Sequence, residues 1–144
     1  MTDLLLYEAL LVARVRELLP ALNPALVFGR EGLADAEEAQ ARPRSVYVLY
    51  GGTSPQTGQL GGTLTQGLGG LRFVEQEWAI ELHWLVGAGN AAPGPELAAL
   101  LAGLAGWTPP SRPSDVIDFV DLPRREISPS FDAYSLLLRV SCAW

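Results

Sequence analysis

The sequence predicts an α+β domain, in which a mostly antiparallel sheet of four to five strands carries two helices packed on one face, in the order α-β-β-β-α-β-β. Several segments alternate apolar and polar residues, which is typical of strands with one buried and one solvated face. An amphipathic helix begins the chain, and a second short helix has both ends marked. Two helices among runs of such strands are typical of this class.

All 144 residues are expected to form a single domain, because this length can bury one core and no shift in composition marks a second. The hydrophobic content of 49% excludes general disorder. There is no apolar run of membrane-spanning length and no signal peptide, so we expect a soluble protein made in the cytoplasm. The net charge of −6 argues against a nucleic-acid-binding surface, which needs clustered cations.

The first helix is predicted to run from a cap at Thr2 to about Leu19, where Pro20 and Pro24 end it. One side of this helix is apolar and is expected to be buried. It comprises Leu4, Leu11, Val15 and Leu18, widened by Leu5, Val12 and Leu19. The opposite side is polar and carries Asp3, Arg14 and Glu17.

Three strands are predicted next: a short one at Ala25–Phe28, the β-branched and aromatic Ser45–Tyr50, and a long one at Leu71–Val86. Gly29–Pro43 is polar and is predicted to be a loop. The long strand alternates, so we expect one buried and one solvated face. The residues assigned to the buried face are Trp78, Ile80, Leu82 and Trp84, and those assigned to the solvated face are Glu75, Glu77, Glu81 and His83.

The segment Gly51–Gly70 contains eight glycines and no charged residue. Such a segment cannot pack a core and is too long for an ordinary hairpin turn. We therefore expect a mobile Gly/Thr-rich loop that is ordered only at a partner surface. A phosphate-binding role is disfavoured, because the chain has no lysine to complete a P-loop.

The second helix is predicted within Pro95–Pro110, with Pro95 in its first turn, Gly106 as its left-handed cap and two prolines as its stop. Trp107 follows the cap, where we expect it to cover the end of the helix as a core residue. The alternative is an exposed partner contact. Two more strands, Val116–Leu122 and Tyr134–Trp144, complete the predicted sheet.

Four features could form chemical sites, and each favours a structural interpretation. Gly87–Ala92 matches a dinucleotide-binding spacing, but the strand before it alternates and Pro93 separates it from the helix. The only histidine, His83, is interpreted as a polar strand residue, and Cys142 as a buried inert thiol. The acidic residues Asp115, Asp118 and Asp121 are interpreted as a solvated edge instead of a cation site. We therefore expect no enzyme, cofactor or metal.

Self-association is the remaining option, because acidic residues on the solvated strand face and arginines at loop ends form a surface that can pair with copies of itself. A chain-terminal tryptophan also favours docking. Charge alone favours an ordinary mixed-charge surface. The interface candidates are Gln56, Gln59, Gln66, Arg72, Glu75, Glu77, Glu81, Arg124, Arg125 and Trp144.

The combined pattern resembles a family. The segments that carry the resemblance are SVYVLYGG, a long Gly/Thr-rich stretch, EQEWAIELHWLV, ELAALLAGLAGWTPP and YSLLLRVSCAW. Its sharpest parts are Gln76, Glu77 and Trp78 at the start of the long strand, and Leu101–Pro110 at the helix stop. With these segments the chain resembles, over nearly its whole length, the tail terminator (tail-completion) proteins of tailed phages, prophages and tail-like bacteriocins.

The resemblance implies a non-enzymatic ring, commonly a hexamer, that stops tail-tube polymerisation and joins the tube to the head-side neck. The implied partners are further copies of the chain, the tail tube protein, a neck or connector protein and, in a contractile tail, the sheath protein. DNA would pass through the channel without specific binding. The implied location is the virion tail, assembled in the host cytoplasm. The alternatives are another neck or head-completion ring component and a small-ligand or cofactor-binding module that uses Gly87–Ala92.

Overall fold

A computed structural model describes residues 3–22, 26–29, 44–55, 73–87 and 89–143. Within these ranges, two helices and a largely antiparallel sheet confirm the α+β class. The elements in chain order are α1 (Leu6–Leu18), β1 (Val27–Phe28), β2 (Ser45–Pro55), β3 (Phe73–Leu85), α2 (Gly94–Leu104), β4 (Val116–Asp121), β5 (Arg124–Ser128) and β6 (Phe131–Ala143). Neither helix in the described ranges has the length and apolarity needed to cross a membrane.

All six strands belong to one sheet, in the order β1-β2-β3-β6-β4, with β5 also paired to β6. The central pair is β3 and β6, which run antiparallel over 13 residues each, from Phe73 opposite Ala143 to Leu85 opposite Phe131. The strands β4 and β5 lie one after the other along the outer side of β6. β1 pairs with β2 in parallel over two residues. The sheet therefore has a short strand at one edge and an interrupted strand at the other.

The hydrophobic core lies between the two helices and one face of this sheet. The alternation predicted for the long strand is confirmed for its apolar side, since Trp78, Ile80, Leu82 and Trp84 are all buried. The closing strand also buries its predicted apolar side, including Leu136, Leu138, Val140 and Cys142. Burying aromatic and aliphatic side chains on two adjacent long strands is the main stabilising contribution available to this domain.

The buried side of α1 differs from the predicted stripe. The buried residues are Tyr7, Leu11 and Val15, whereas Leu4 and Leu5 precede the helix and are exposed. The helix begins at Leu6, and the predicted cap residue Thr2 lies outside the described residues. The periodicity did not point to Tyr7 because its hydroxyl makes it a poor core candidate without a partner. The partner, Asp115, is supplied by a loop 108 residues away.

The two helices approach closely where α1 meets the end of α2. Arg14, predicted on the polar side of α1, donates to the Gly103 carbonyl from Nε at 3.3 Å, and its guanidinium lies 5.0 Å from the centre of the Trp107 ring. A side chain at Gly103 would overlap Leu18, with a Cβ only 2.9 Å from Leu18 Cγ. Trp107 is partly buried and packs against the core, so it lies between the two predicted alternatives.

The helix stop is confirmed. Gly106 adopts a φ of 76°, which favours glycine, and its N–H donates to the Ile117 carbonyl at 2.8 Å. This bond ties the end of α2 to β4. The cap therefore fixes both the end of the helix and the position of the edge strand.

Several strand boundaries differ from the predicted ones. β2 continues from the predicted Ser45–Tyr50 to Pro55 across an irregularity between Tyr50 and Gly52, so the first five residues of the predicted loop belong to a strand. Residues 56–70 of that loop, and 30–43 of the earlier one, lie outside the described residues. β1 covers only the second half of Ala25–Phe28, and β6 starts at Phe131.

The strand β5 was missed, which is why the sheet has six strands instead of four to five. Its charged sequence RREIS shows no alternation, and every one of its residues is exposed. A strand that buries no face leaves no period-two signal in the sequence. Pro129 and Ser130 form the turn that joins β5 to β6.

The close approach of the helices is testable at Gly103. Gly103→Ala would force Leu18 out of its position, so we expect a net loss of about 1 kcal/mol in the free energy of unfolding after the gain in helix propensity. The matched control is Gly94→Ala at the other end of α2, where an added Cβ meets no atom within 4 Å outside its chain neighbours. Because Gly94 precedes Pro95, whose ring disfavours the helical conformation of a residue with a Cβ, the gain in helix propensity is offset and the stability should stay close to that of the parent. Denaturant unfolding of both variants checks this, and a Gly103→Ala variant as stable as Gly94→Ala would contradict it.

Candidate functional site

The sheet face opposite the helices, here called the open face, carries an apolar band that crosses four strands. The register places Leu49 opposite Ala79, and Ala79 opposite Leu137. Val120, in the irregularity of β4, lies beside Leu137. These four residues line a groove of about 190 Å³. The described helices pack on the other face, so this band is an apolar surface without a covering layer among the described residues.

The strands β4 and β5, which lie one after the other beside β6, form a surface here called the β4–β5 edge. This edge carries most of the exposed large hydrophobic side chains. Six large hydrophobic residues are exposed among those that the structure describes, and four of them lie on β4 and β5. They are Val116 at 48% exposure, Phe119 at 43%, Val120 at 46% and Ile127 at 45%. An edge strand with apolar side chains and unpaired backbone groups is a template for pairing with another chain. This edge is the strongest candidate interaction surface in the described structure.

Charged side chains flank the apolar band on both sides. Toward one end of the sheet, Glu77 pairs in register with Arg139, which pairs in register with Asp118. Arg139 also lies 3.8 Å from a carboxylate oxygen of Glu75. A band of hydrophobic residues between rows of charges has the composition of an interface core with a polar rim.

Toward the other end of the sheet, the Glu81 side chain accepts several hydrogen bonds. Its carboxylate accepts from His83 Nε2 at 2.6 Å, from Arg125 at 3.2 Å and from Ser135 Oγ at 3.3 Å. The hydrogen bond from His83 lowers the pKa of Glu81 below its ordinary value, with further lowering by the charges of His83 and Arg125. Glu81 is therefore held inside its own subunit, where it ties β5 to β3.

The prediction that His83 lies on a solvated face was wrong. Its residue exposure is 8%, because the ring lies 4.6 Å from the Tyr47 ring and 5.8 Å from the Phe131 ring. Aromatic residues on β2 and β6 cover this end of the open face, which the sequence of β3 alone does not indicate. His83 Nδ1 has no hydrogen-bond partner in the described structure. A second pocket beside it is lined by Arg125, Ile127 and Phe131.

The interpretation of Asp115 as part of a solvated edge was also wrong. Its carboxylate is 1% exposed and accepts from Tyr7 Oη at 2.6 Å, Arg112 Nε at 2.6 Å and the Ala143 backbone N–H at 2.9 Å. Burial and the bond to Asp115 raise the pKa of Tyr7 well above its ordinary value. Asp118, by contrast, is exposed as expected. Asp115 therefore joins α1, β4 and the end of β6.

Gln76 on the long strand also makes buried polar contacts. Gln76 is fully buried; its amide nitrogen donates to the Leu4 carbonyl at 2.7 Å, and its amide oxygen accepts from Trp78 Nε1 at 3.1 Å.

Cys142 is buried as predicted, and burial raises the pKa of its thiol to about 12. At that pKa the thiolate is scarce at neutral pH, so Cys142 is a core residue and not a nucleophile.

The loop at Gly87–Ala92 follows a strand that is antiparallel to both of its neighbours, so it lacks the parallel context of a dinucleotide fold. The Asn90 N–H donates to the Gly87 carbonyl at 2.9 Å, and Trp84 Nε1 donates to the Ala91 carbonyl at 2.9 Å. These described parts of the loop form a tight turn held by the loop's own bonds and by Trp84. Across the described ranges, no group of three or more histidine, cysteine, aspartate or glutamate side chains is arranged to hold a metal ion.

The predicted interface residues fall into two groups. Gln56, Gln59, Gln66, Arg72 and Trp144 lie outside the described residues. Glu75, Glu77 and Glu81 lie on the open face of β3, and Arg124 and Arg125 on β5. Within this second group the structure brings Glu81 and Arg125 together, while Arg124 binds Asp132 at 3.2 Å instead.

The sequence analysis missed the exposed apolar residues of β4 and β5, because its candidates were charged residues, three glutamines and Trp144. A signal was present in VIDFVDL, where Val116, Ile117, Phe119 and Val120 are apolar. Four apolar residues among five do not follow the period of two, and an edge strand buries at most one face. The excess of hydrophobic residues over buried positions indicates exposure.

No known protein family matches this sequence, and no curated protein is significantly similar to it.

The Asp115 cluster gives a graded prediction. Tyr7→Phe removes one hydrogen bond to a buried carboxylate, so we expect a loss of about 1.5–3 kcal/mol in the free energy of unfolding. Asp115→Asn removes the charge that pairs with Arg112 and should cost more, about 3–5 kcal/mol. Chemical denaturation of the isolated subunit measures both. Equal losses would contradict the grading, and no loss from either change would show that the cluster does not hold the subunit together.

The lowered pKa of Glu81 gives a pH prediction. Its stabilising contribution is fully present above the ordinary glutamate pKa of 4.5 and is lost as the pH falls through the lower folded value. Glu81→Gln should therefore be less stable than the parent at neutral pH and lose less stability on acidification. Thermal melts across this range test it, with Glu77→Gln on the same strand face as the control. Parallel profiles for the parent and Glu81→Gln would contradict the assignment.

Proposed function

We propose that this chain is a structural assembly protein, a ring-forming phage tail terminator that caps the tail tube and joins it to the head-side neck. The observation that carries the proposal is the β4–β5 edge, where Val116, Phe119, Val120 and Ile127 are exposed together. A surface of this kind favours association with another protein chain. The resemblance of the chain's motifs to the tail terminator proteins supplies the specific role.

The motif residues themselves belong to the framework of the domain. Gln76 and Trp78 are buried and bonded to each other, and Gly106 fixes the end of α2 against β4. A resemblance carried by framework residues supports a shared architecture. It leaves the surface free to differ between proteins that cap different tubes.

The proposed mechanism is geometric. A heterologous contact repeated about an axis closes a ring and leaves no unsatisfied contact within it. One side of the ring matches the last ring of the tail tube, and the other side offers no further tube-binding edge, so polymerisation stops. The net charge of −6 would repel DNA phosphates and keep passing DNA from binding. The partners of this role are further copies of the chain, the tube protein and a neck protein.

The proposal predicts an assembly with the mass of several chains. Light scattering and negative-stain imaging should reveal a ring, most simply with six times the 15.5 kDa mass of one chain, either alone or after addition of tube protein. A subunit that stays monomeric under both conditions would refute the ring. A ring that binds neither a tube nor a neck protein would refute the terminator role.

A single charge on the exposed edge should block this assembly. Val120→Lys places a charged side chain at an exposed position of β4, so the isolated subunit should fold with an unchanged melting temperature while ring formation is lost. Leu5→Lys is the matched control, since Leu5 is 40% exposed but lies before α1. Light scattering compares the two variants. Rings from Val120→Lys, or their loss from Leu5→Lys as well, would contradict the assignment of the interface to this edge.

A further inference from the structure

We infer that copies of this chain join head to tail through the two edges of their sheets, with β4 of one copy pairing antiparallel to β2 of the next. The inference rests on the proposed self-association and names the two surfaces that make it. It gives each copy two different contact edges, which is the requirement for a closed ring of more than two members.

Both edges offer backbone groups for pairing within the described structure. β4 is the last strand in the order on one side, and its outer side has no strand beside it among the described residues. On the other side, β1 covers β2 only at Val46 and Tyr47. The rest of β2, residues 48–55, is long enough to pair with all six residues of β4. Alternate residues of an edge strand direct their N–H and C=O groups outward.

The strand directions favour this pairing. β2, β3, β6 and β4 are antiparallel in succession, so β4 runs opposite to β2. If a second copy is placed beside the first by rotation about an axis roughly parallel to the strands, its β2 therefore meets β4 in the antiparallel sense. All copies then keep the same polarity along the axis.

Charge favours this contact over a two-fold one. β4 carries Asp118 and Asp121, so pairing β4 with β4 brings like charges together across the ladder, which is destabilising. β2 has no charged side chain between Ser45 and Pro55. Pairing β2 with β2 would leave the exposed hydrophobic residues of β4 uncovered. Of these three contacts, the β4–β2 contact is the one that covers the apolar edge without opposing carboxylates.

The apolar band of the open face suggests the register. It begins at Leu49 on β2 and ends at Val120 on β4. If Val120 of one copy lies beside Leu49 of the next, the band continues from copy to copy. With the one-residue irregularity between Tyr50 and Gly52, Val116 then lies near Ser54 of the neighbour. Both pairs of positions are expected to lie close across the contact.

Engineered cysteines test the pairing directly. A chain with both Leu49→Cys and Val120→Cys should form a covalent ladder up to the size of the ring on mild oxidation, and a Ser54→Cys, Val116→Cys chain should do the same. Within one copy, Leu49 and Val120 are three strand spacings apart, about 14 Å, beyond the reach of a disulfide. The native Cys142 is fully buried and does not compete.

The single variants are the controls. Leu49→Cys alone and Val120→Cys alone should stay uncrosslinked, and an equal mixture of the two should stop at covalent dimers. Dimers from Val120→Cys alone would indicate β4–β4 pairing and overturn the inference.

The remaining outcomes separate the two proposals. Rings by mass in which neither double variant forms a ladder would overturn the β4–β2 contact while leaving the ring proposal intact. Ladders from assemblies that bind neither a tube nor a neck protein would support the contact and refute the terminator role. A subunit that is monomeric alone and with tube protein, and that forms no ladder, would overturn both.

Discussion

The arrangement of the domain depends on the hydrogen bonds and the ion pair made by the Asp115 carboxylate. It is buried, and a buried charge is tolerated only when partners satisfy it. Its partners are Tyr7 on α1, Arg112 before β4 and the Ala143 N–H at the end of β6. Arg112 also donates to the Ala143 carbonyl. One side chain thereby aligns the first helix, the edge strand and the last strand, so the geometry of the β4–β5 edge follows from the core.

The position of the helices determines what the rest of the surface can do. Because α1 and α2 pack on one face of the sheet, the band from Leu49 to Val120 has no helical cover among the described residues. The polar contacts around Glu81 then stabilise the far end of that face within the subunit. What remains for partners is the apolar band and the two sheet edges. This division supports the proposed assembly role, because Asp115 and Glu81 hold the subunit together while hydrophobic residues of β4 and β5 are left exposed.

The candidate surface illustrates how far sequence reasoning reaches. It located the open face of β3 correctly through Glu75, Glu77 and Glu81, since a period of two places such residues on one side. It failed at His83, which is covered by Tyr47 and Phe131 from other strands. It also sought the interface among charges, whereas Glu81 and Arg125 satisfy each other within the subunit. Which charges are free depends on their neighbours in space, and those neighbours are distant in sequence.

The sequence by itself determined the class of the fold, the alternating cores of β3 and β6 and the end of α2 at Gly106, because period-two patterns and helix stops are local properties of the chain. Only the tertiary structure decided that Tyr7 and Asp115 are buried, that Arg14 lies over Trp107, and that RREIS forms a strand. In each of these cases the deciding energy comes from a partner supplied by another element. The partner decides whether a polar or charged residue is buried and whether a charged segment forms a strand. No local sequence pattern encodes that partner.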